Sequence, residues 1–203
     1  MNITGIIIII TCGISFWAWQ NDNLFNKLIF NPYKINNRKE WYRFFSCALL
    51  HADFTHLLIN MFVLYSFGQY IEMVYKLYIP FGGVLMYLVM YVLAIAASNI
   101  KTYFQHRQNS WYSALGASGA VSAVVFAFIL FAPTEKILFF GVLPIPAFIY
   151  GLLYLAYSQY MAKNSKDNIG HDAHFYGAIF GFVFTGLLKP DLFILFVKQI
   201  FLR

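Results

Sequence analysis

Long apolar runs separated by short polar segments set the first expectations for this chain. The run at 6–19 predicts a first helix over 4–19. It has no basic residues ahead of it and no small-residue cleavage pattern behind it, so it reads as a spanning helix rather than a removed leader. Residues 20–54 are mixed in character and too long for a tight turn. They hold Trp41, Tyr42, Phe44 and Phe45, side chains suited to a headgroup layer, and short interfacial helices are predicted there. Further apolar runs follow at 55–75, 77–98, 118–132, 146–161 and 173–188. Pro133 stops the fourth, Pro146 suits the first turn of the fifth, and Lys189-Pro190 ends the sixth. The tail, 189–203, is too short and too charged at its end to cross, and is expected to lie in the interface. The pattern therefore predicts an all-α polytopic membrane protein: one domain over 1–203, with a membrane-associated first loop (20–54), helices two to six over 55–188, and six spans in all.

Composition agrees with a bilayer as solvent. The chain is 61% hydrophobic and 11% charged, against about 25% charged in ordinary soluble domains. Its net charge of +6 is read as contact with lipid headgroups. No nucleic-acid-binding motif accompanies it, so the lipid bilayer is expected as a partner and nucleic acid is not. Cys12 and Cys47 have no spacing logic and read as small buried hydrophobes.

Polar residues inside spans are candidates for function. His56 and Asn60 lie four residues apart at the head of the second run and so share a helix face. Ser118, between Gly116 and Gly119, opens the fourth run. His174 falls in the first turn of the sixth, ahead of Gly177 and Gly181. With six spans, the second, fourth and sixth point the same way, so these polar groups converge toward one membrane face. A serine hydroxyl becomes a nucleophile when a base takes its proton, and His174 is the base at hand. Asp172 is near in sequence but not positioned to orient that ring, which favours a dyad. The Asn60 amide, the His56 ring and the Ser118 backbone N–H are donors for an oxyanion.

Each feature also has a purely structural reading. Small residues in membrane helices pack backbones closely, and His56 with Asn60 can be a structural hydrogen-bonded pair. His51, His106 and His171 read as interfacial or loop residues. His51, His56, His171, His174, Asp53 and Asp172 suit a metal in type. The H-E-x-x-H helix is missing, however, and Asn60 is a poor zinc ligand. No metal and no cofactor is expected. No inverted repeat of the transporter kind is evident.

Taken together, these residues resemble the rhomboid family of intramembrane serine proteases over 42–186. "YRFFSCALLHADFTHLLINM" resembles the family's first-loop Trp-Arg segment and H-x-x-x-N helix, with Tyr42 where Trp is usual and Arg43 matching the Arg. "GASGA" resembles the nucleophile motif, and "AHFYGAIFG" the A-H-x-x-G-x-x-x-G helix. The resemblance implies Ser118 as nucleophile, His174 as general base, and His56, Asn60 and the Ser118 N–H at the oxyanion. It gives Gly116, Gly119, Gly177 and Gly181 supporting places in the motifs, and Arg43 and Glu72 roles in holding the first loop. It implies a six-helix core, hydrolysis of a peptide bond in or near a substrate's transmembrane segment, and transmembrane proteins as partners. The alternative it leaves is an inactive member acting as a binding or chaperone-like factor.

Two features depart from the family pattern. Ser122 stands where many members have an aromatic packed on the catalytic histidine. In addition, nine Lys and Arg lie on the expected active-site side against five on the other. By charge those nine belong in the cytoplasm, whereas the family's orientation puts that side outside, and the expectation follows the family. The membrane is expected to be that of a bacterial cell.

Overall fold

The structure is a computed structural model that describes residues 2–79, 82–139, 141–164 and 169–202. Each apolar run forms a helix, within a few residues of its predicted bounds except for the third, predicted over 77–98, whose helix starts about six residues later and ends about eight later. These helices are α1 (Ile3–Ala18), α5 (Phe54–Tyr78), α6 (Gly83–His106), α7 (Ser118–Phe131), α8 (Ala147–Asn164) and α9 (His171–Leu188). The first loop folds into α2 (Asp22–Leu28), α3 (Pro32–Arg38), α4 (Arg43–Ser46) and a single 3-10 turn at Cys47–Leu49. Its helices start where local chemistry says they should. The Asn21 and Asn31 side chains accept from the Leu24 and Lys34 N–H groups, and Pro32 takes the first helical position.

One connection differs from expectation. The connection after α7 is a β-hairpin, β1 (Lys136–Phe139) paired antiparallel with β2 (Leu143–Pro146), so the protein is all-helical apart from this ribbon among the described residues. Pro146 pairs opposite Lys136 rather than opening the helix, which begins at Ala147. The tail forms α10 (Asp191–Phe201), set at 112° to α9. By length and hydropathy alone, α5 and α6 are able to cross a membrane, and the bent α9–α10 pair would make a third. With 16 and 14 residues, α1 and α7 fall short of the roughly 20 that a full crossing takes. Apolarity by itself therefore does not establish six crossings.

Burial explains why α7 is short. Every residue from Gly119 to Ala127 is buried, so this helix sits inside the others and needs no lipid-facing surface. By contrast, α8 buries only Ala147, Gly151 and Ser158. Large apolar side chains such as Phe62, Leu152 and Leu187 lie fully outward, which suits a lipid-facing exterior.

Glu72 corrects an expectation. It does not hold the first loop. It sits near the end of α5, where Oε1 accepts from the Ile3 N–H at 2.8 Å and Oε2 from the Thr4 N–H at 2.9 Å and the Thr4 hydroxyl at 2.8 Å. The carboxylate caps the start of α1, where helix geometry leaves donors over and the dipole favours negative charge. Glu72→Ala strands the Ile3 and Thr4 N–H groups, the second of them buried, while the Thr4 hydroxyl keeps the Tyr87 hydroxyl as a partner at 3.0 Å, and is expected to cost about 1–3 kcal/mol. Glu72→Gln keeps an acceptor and should lose less. Thermal unfolding in detergent measures both.

Candidate active site

The loop before α7 is tied down by the first loop. Phe30 and Ala114 exchange backbone hydrogen bonds at 3.0 Å, and the Gly116 N–H donates to the Cys47 carbonyl at 3.0 Å. The first loop is held in turn by Arg43, which is 3% exposed. Its guanidinium donates to the Glu40 carboxylate and to the Asn26 and Ile29 carbonyls, at 3.0 and 2.8 Å for the last two. Cys47 is buried, which pushes its thiol up to about 12 and leaves it unreactive.

This anchoring sets Gly116 at φ +118°, a conformation open to glycine but strained for other residues. A Cβ on Gly116 would lie 2.9 Å from His56 Cε1, 3.1 Å from His56 Nε2 and 3.9 Å from Ser118 Oγ. Glycine therefore keeps open a gap between the His56 ring and the Ser118 hydroxyl, where a reacting carbonyl oxygen would need to fit. Ser118 is the first residue of α7, and no side chain caps that helix. Its backbone N–H is one of the donors that a helix start leaves over. Ser118, His56 and His174 are all half-buried, so the gap is reachable.

The His56 backbone is fixed by Asp53, whose carboxylate accepts the His56 N–H at 2.8 Å. The Ala52 N–H approaches His56 Nδ1 at 3.5 Å, a long contact that, when made, leaves the ring proton on Nε2, the edge toward Gly116. Asn60 is buried, and one of its amide hydrogens bonds the His56 carbonyl at 2.9 Å, leaving the second for another acceptor.

Backbone contact brings α9 to α7. A Cβ on Gly177 would strike the Gly119 backbone, one on Gly181 the Ala123 backbone, and one on Gly119 the Ser98 side chain, with the Ala173 carbonyl at 3.3 Å. The Gly177/Gly181 spacing is one helical turn repeated, so the two helices lie against each other with no side chain between them. Ala173 beside Gly119 sets His174 and Ser118 at the same level of the bundle. Asp172 is committed elsewhere, accepting from Lys101 Nζ at 2.7 Å. Among the described residues no group of three or more His, Cys, Asp or Glu is placed to hold a metal.

Three site neighbours escaped the sequence. His51, expected to be an interfacial residue, is fully buried. Its Nδ1 lies 3.1 Å from Ser15 Oγ, and its ring meets that of His56 edge-on at 4.9 Å. Burial first, and the His56 ring second, hold its imidazole down to about 3. An unfolded histidine titrates near 6.5. Above that value neither state binds the proton. As pH falls from 6.5 toward 3, the unfolded chain takes up a proton that the native one refuses, and stability declines by up to about 1.4 kcal/mol per pH unit. Chemical unfolding at pH 7 and pH 5 should show this loss, and His51→Asn should reduce it. The second neighbour is Tyr154 of α8. Its hydroxyl lies 2.6 Å from Ser122 Oγ, and its ring is inclined 28° to the His174 ring with centroids 6.3 Å apart. An aromatic does face the histidine, but it comes from another helix. His171, also expected to be an interfacial or loop residue, is buried at the start of α9, with its ring 6.0 Å from that of His174.

A family model described as Rhomboid domain matches residues 38–190. The chain is 30% identical over 139 residues to RHOMBOID-like protein 12, mitochondrial, of Arabidopsis thaliana, covering 64% of this chain and 41% of that protein. It is 24% identical over 191 residues to Rhomboid-like protein 15 of the same plant, covering 88% and 45%. The chain thus spans less than half the length of each of these relatives. Both are plant proteins and one is named mitochondrial, so neither supports the expected bacterial cell membrane. The matched segment contains the anchored first-loop arginine, the α7 serine and the α9 histidine, and this membrane protein belongs to the rhomboid family.

Proposed function

We propose that this protein is an intramembrane serine protease that hydrolyses a peptide bond in or near the transmembrane segment of membrane-protein substrates. The observation that carries the reading is the gap kept open by Gly116, bounded by the His56 ring and the Ser118 hydroxyl at the uncapped start of α7. Ser118 Oγ attacks the scissile carbonyl carbon while His174 takes its proton. The oxyanion that forms accepts from the Ser118 N–H, His56 Nε2 and the remaining Asn60 amide hydrogen. The C–N bond then breaks as His174 returns the proton to the leaving amine, and water hydrolyses the acyl-enzyme by the same route. With Asp172 paired to Lys101, the base acts in a dyad. We take all six long helices as spans, with α1 and α7 reached by a membrane thinned or wetted around the site. The non-enzymatic alternative rested on Ser122 replacing an aromatic, and the Tyr154 ring facing His174 supports the enzymatic reading over it.

The test is cleavage of a transmembrane reporter by purified protein in detergent or liposomes. Cleavage should persist in EDTA and should rise from pH 5 to pH 8, because the base must be unprotonated to act. A rate that falls steadily over that range would contradict the assignment of His174. Asn60→Ala should lower kcat about 10-fold or more with KM little changed, since its amide matters most as the oxyanion develops. An unchanged kcat would remove Asn60 from that role.

A further inference from the structure

Rhomboid membership and the Ser–His reading leave one side chain unexplained. Tyr154 lies on α8, a helix with few buried residues, yet it reaches both catalytic helices. Its hydroxyl meets Ser122 Oγ on α7 at 2.6 Å, and its ring faces His174 on α9. Ser122 is 5% exposed, and its hydroxyl also donates to the Ser118 carbonyl at 2.8 Å. One continuous path therefore runs from the Ser118 backbone through Ser122 and the Tyr154 hydroxyl to the face of the His174 ring. The Tyr150 and Phe126 rings, with centroids 5.9 and 5.7 Å from that of Tyr154, hold it from the sides.

An apolar cavity of about 640 Å³ opens between α7, α8, α9 and α10, lined on α8 by Phe148, Gly151, Leu152 and Leu155. Tyr154 joins α8 by a hydrogen bond to α7 and by ring contact to His174 on α9, where Tyr157 adds a second ring contact, to His171 at 5.9 Å. An imidazole has a free χ2 unless something flat bounds it, and a proton transfer to Nε2 needs the ring in one orientation.

We infer that Tyr154, anchored by Ser122, is a positioning residue for His174, and that it makes the alignment of the base depend on α8 being seated. The inference rests on the serine-protease reading for its kinetic consequence, but not for its geometry. An outward movement of α8 withdraws the hydroxyl from Ser122 and the ring from His174 together.

Full-length protein with isotope-labelled histidine, in detergent micelles, separates the two claims by NMR. The His174 ring signals are identified by their loss in His174→Gln. Tyr154→Leu is expected to move them, because a ring current disappears, while the His106 signals hold. Tyr154→Phe is expected to leave them near their wild-type positions. Unmoved His174 signals in Tyr154→Leu would overturn the inference whether or not the protein cleaves anything. In kinetics, Tyr154→Leu should lower kcat about 10–100-fold with KM within about twofold, and Tyr154→Phe about 2–5-fold. Ser122→Ala keeps the ring but frees it from α7, so it serves if Tyr154→Leu does not fold. It should broaden the His174 signals and lower kcat about 2–5-fold, and unchanged linewidth and kcat would refute the anchor. Wild-type protein that neither labels nor cleaves, but whose His174 signals respond as stated, would overturn the protease reading and leave the positioning contact standing.

Discussion

Replacing Ser118 with alanine is expected to abolish cleavage, with kcat falling about 10⁴-fold or more. The oxyanion donors and the bound substrate remain, but no covalent intermediate can form. The fold should be untouched. Ser118 is half-buried at the first position of α7, alanine is the best helix former, and the Ser122 hydroxyl bonds the Ser118 carbonyl rather than its side chain. Stability within about 0.5 kcal/mol of wild type is expected. His174→Ala should be similarly inactive, and the double variant no worse than either single one, because the pair acts as one unit. A Ser118→Ala protein that still cleaves would place the chemistry elsewhere.

The second large effect belongs to Gly177. Changing glycine to alanine inside a helix ordinarily stabilises it, by about 1 kcal/mol. Here the added methyl would land on the Gly119 backbone, which is no flexible side chain tip that can swing aside. α9 must then retreat from α7 at the level of Ser118. Overpacking of this kind costs about 1–3 kcal/mol, which outweighs the propensity gain. Function should suffer more than stability. His174 lies one turn before Gly177 and Ser118 one residue before Gly119, so the retreat separates base from nucleophile. A displacement of about 1 Å costs roughly 100-fold in turnover. Gly177→Ala is thus expected to unfold at lower temperature and to turn over about 100-fold more slowly. A variant more stable than wild type would show that the helices are not in backbone contact.

The parts of this molecule that could be read from the chain are those set by one segment at a time. The apolar runs at 55–75 and 77–98 became α5 and α6 because a helix satisfies its own backbone wherever water is scarce. Asn31 followed by Pro32 started α3 for the same local reasons. Ser118, His56, Asn60 and His174 were singled out as candidates because polar groups inside apolar runs stand out, and because six alternating spans would send the heads of the second, fourth and sixth helices to one side. The misses are relations between segments. Glu72 looked like a loop anchor until α1 was seen to begin beside it. His51 precedes a helix like any loop residue, and only the packing of Ser15 and His56 around it shows that it is buried. Tyr154 is one of several tyrosines on α8, and nothing in its spacing says that its ring meets His174. The hairpin at 136–146 carries two prolines and no long alternation, so its pairing was not legible either.

The central claim is that Ser118 is activated by His174. Fluorophosphonate labelling of wild type, Ser118→Ala and His174→Ala, all folded in detergent, tests it without any knowledge of the substrate. Labelling of the wild type alone is the expected result. No labelling in any of the three, or equal labelling in His174→Ala, would contradict it.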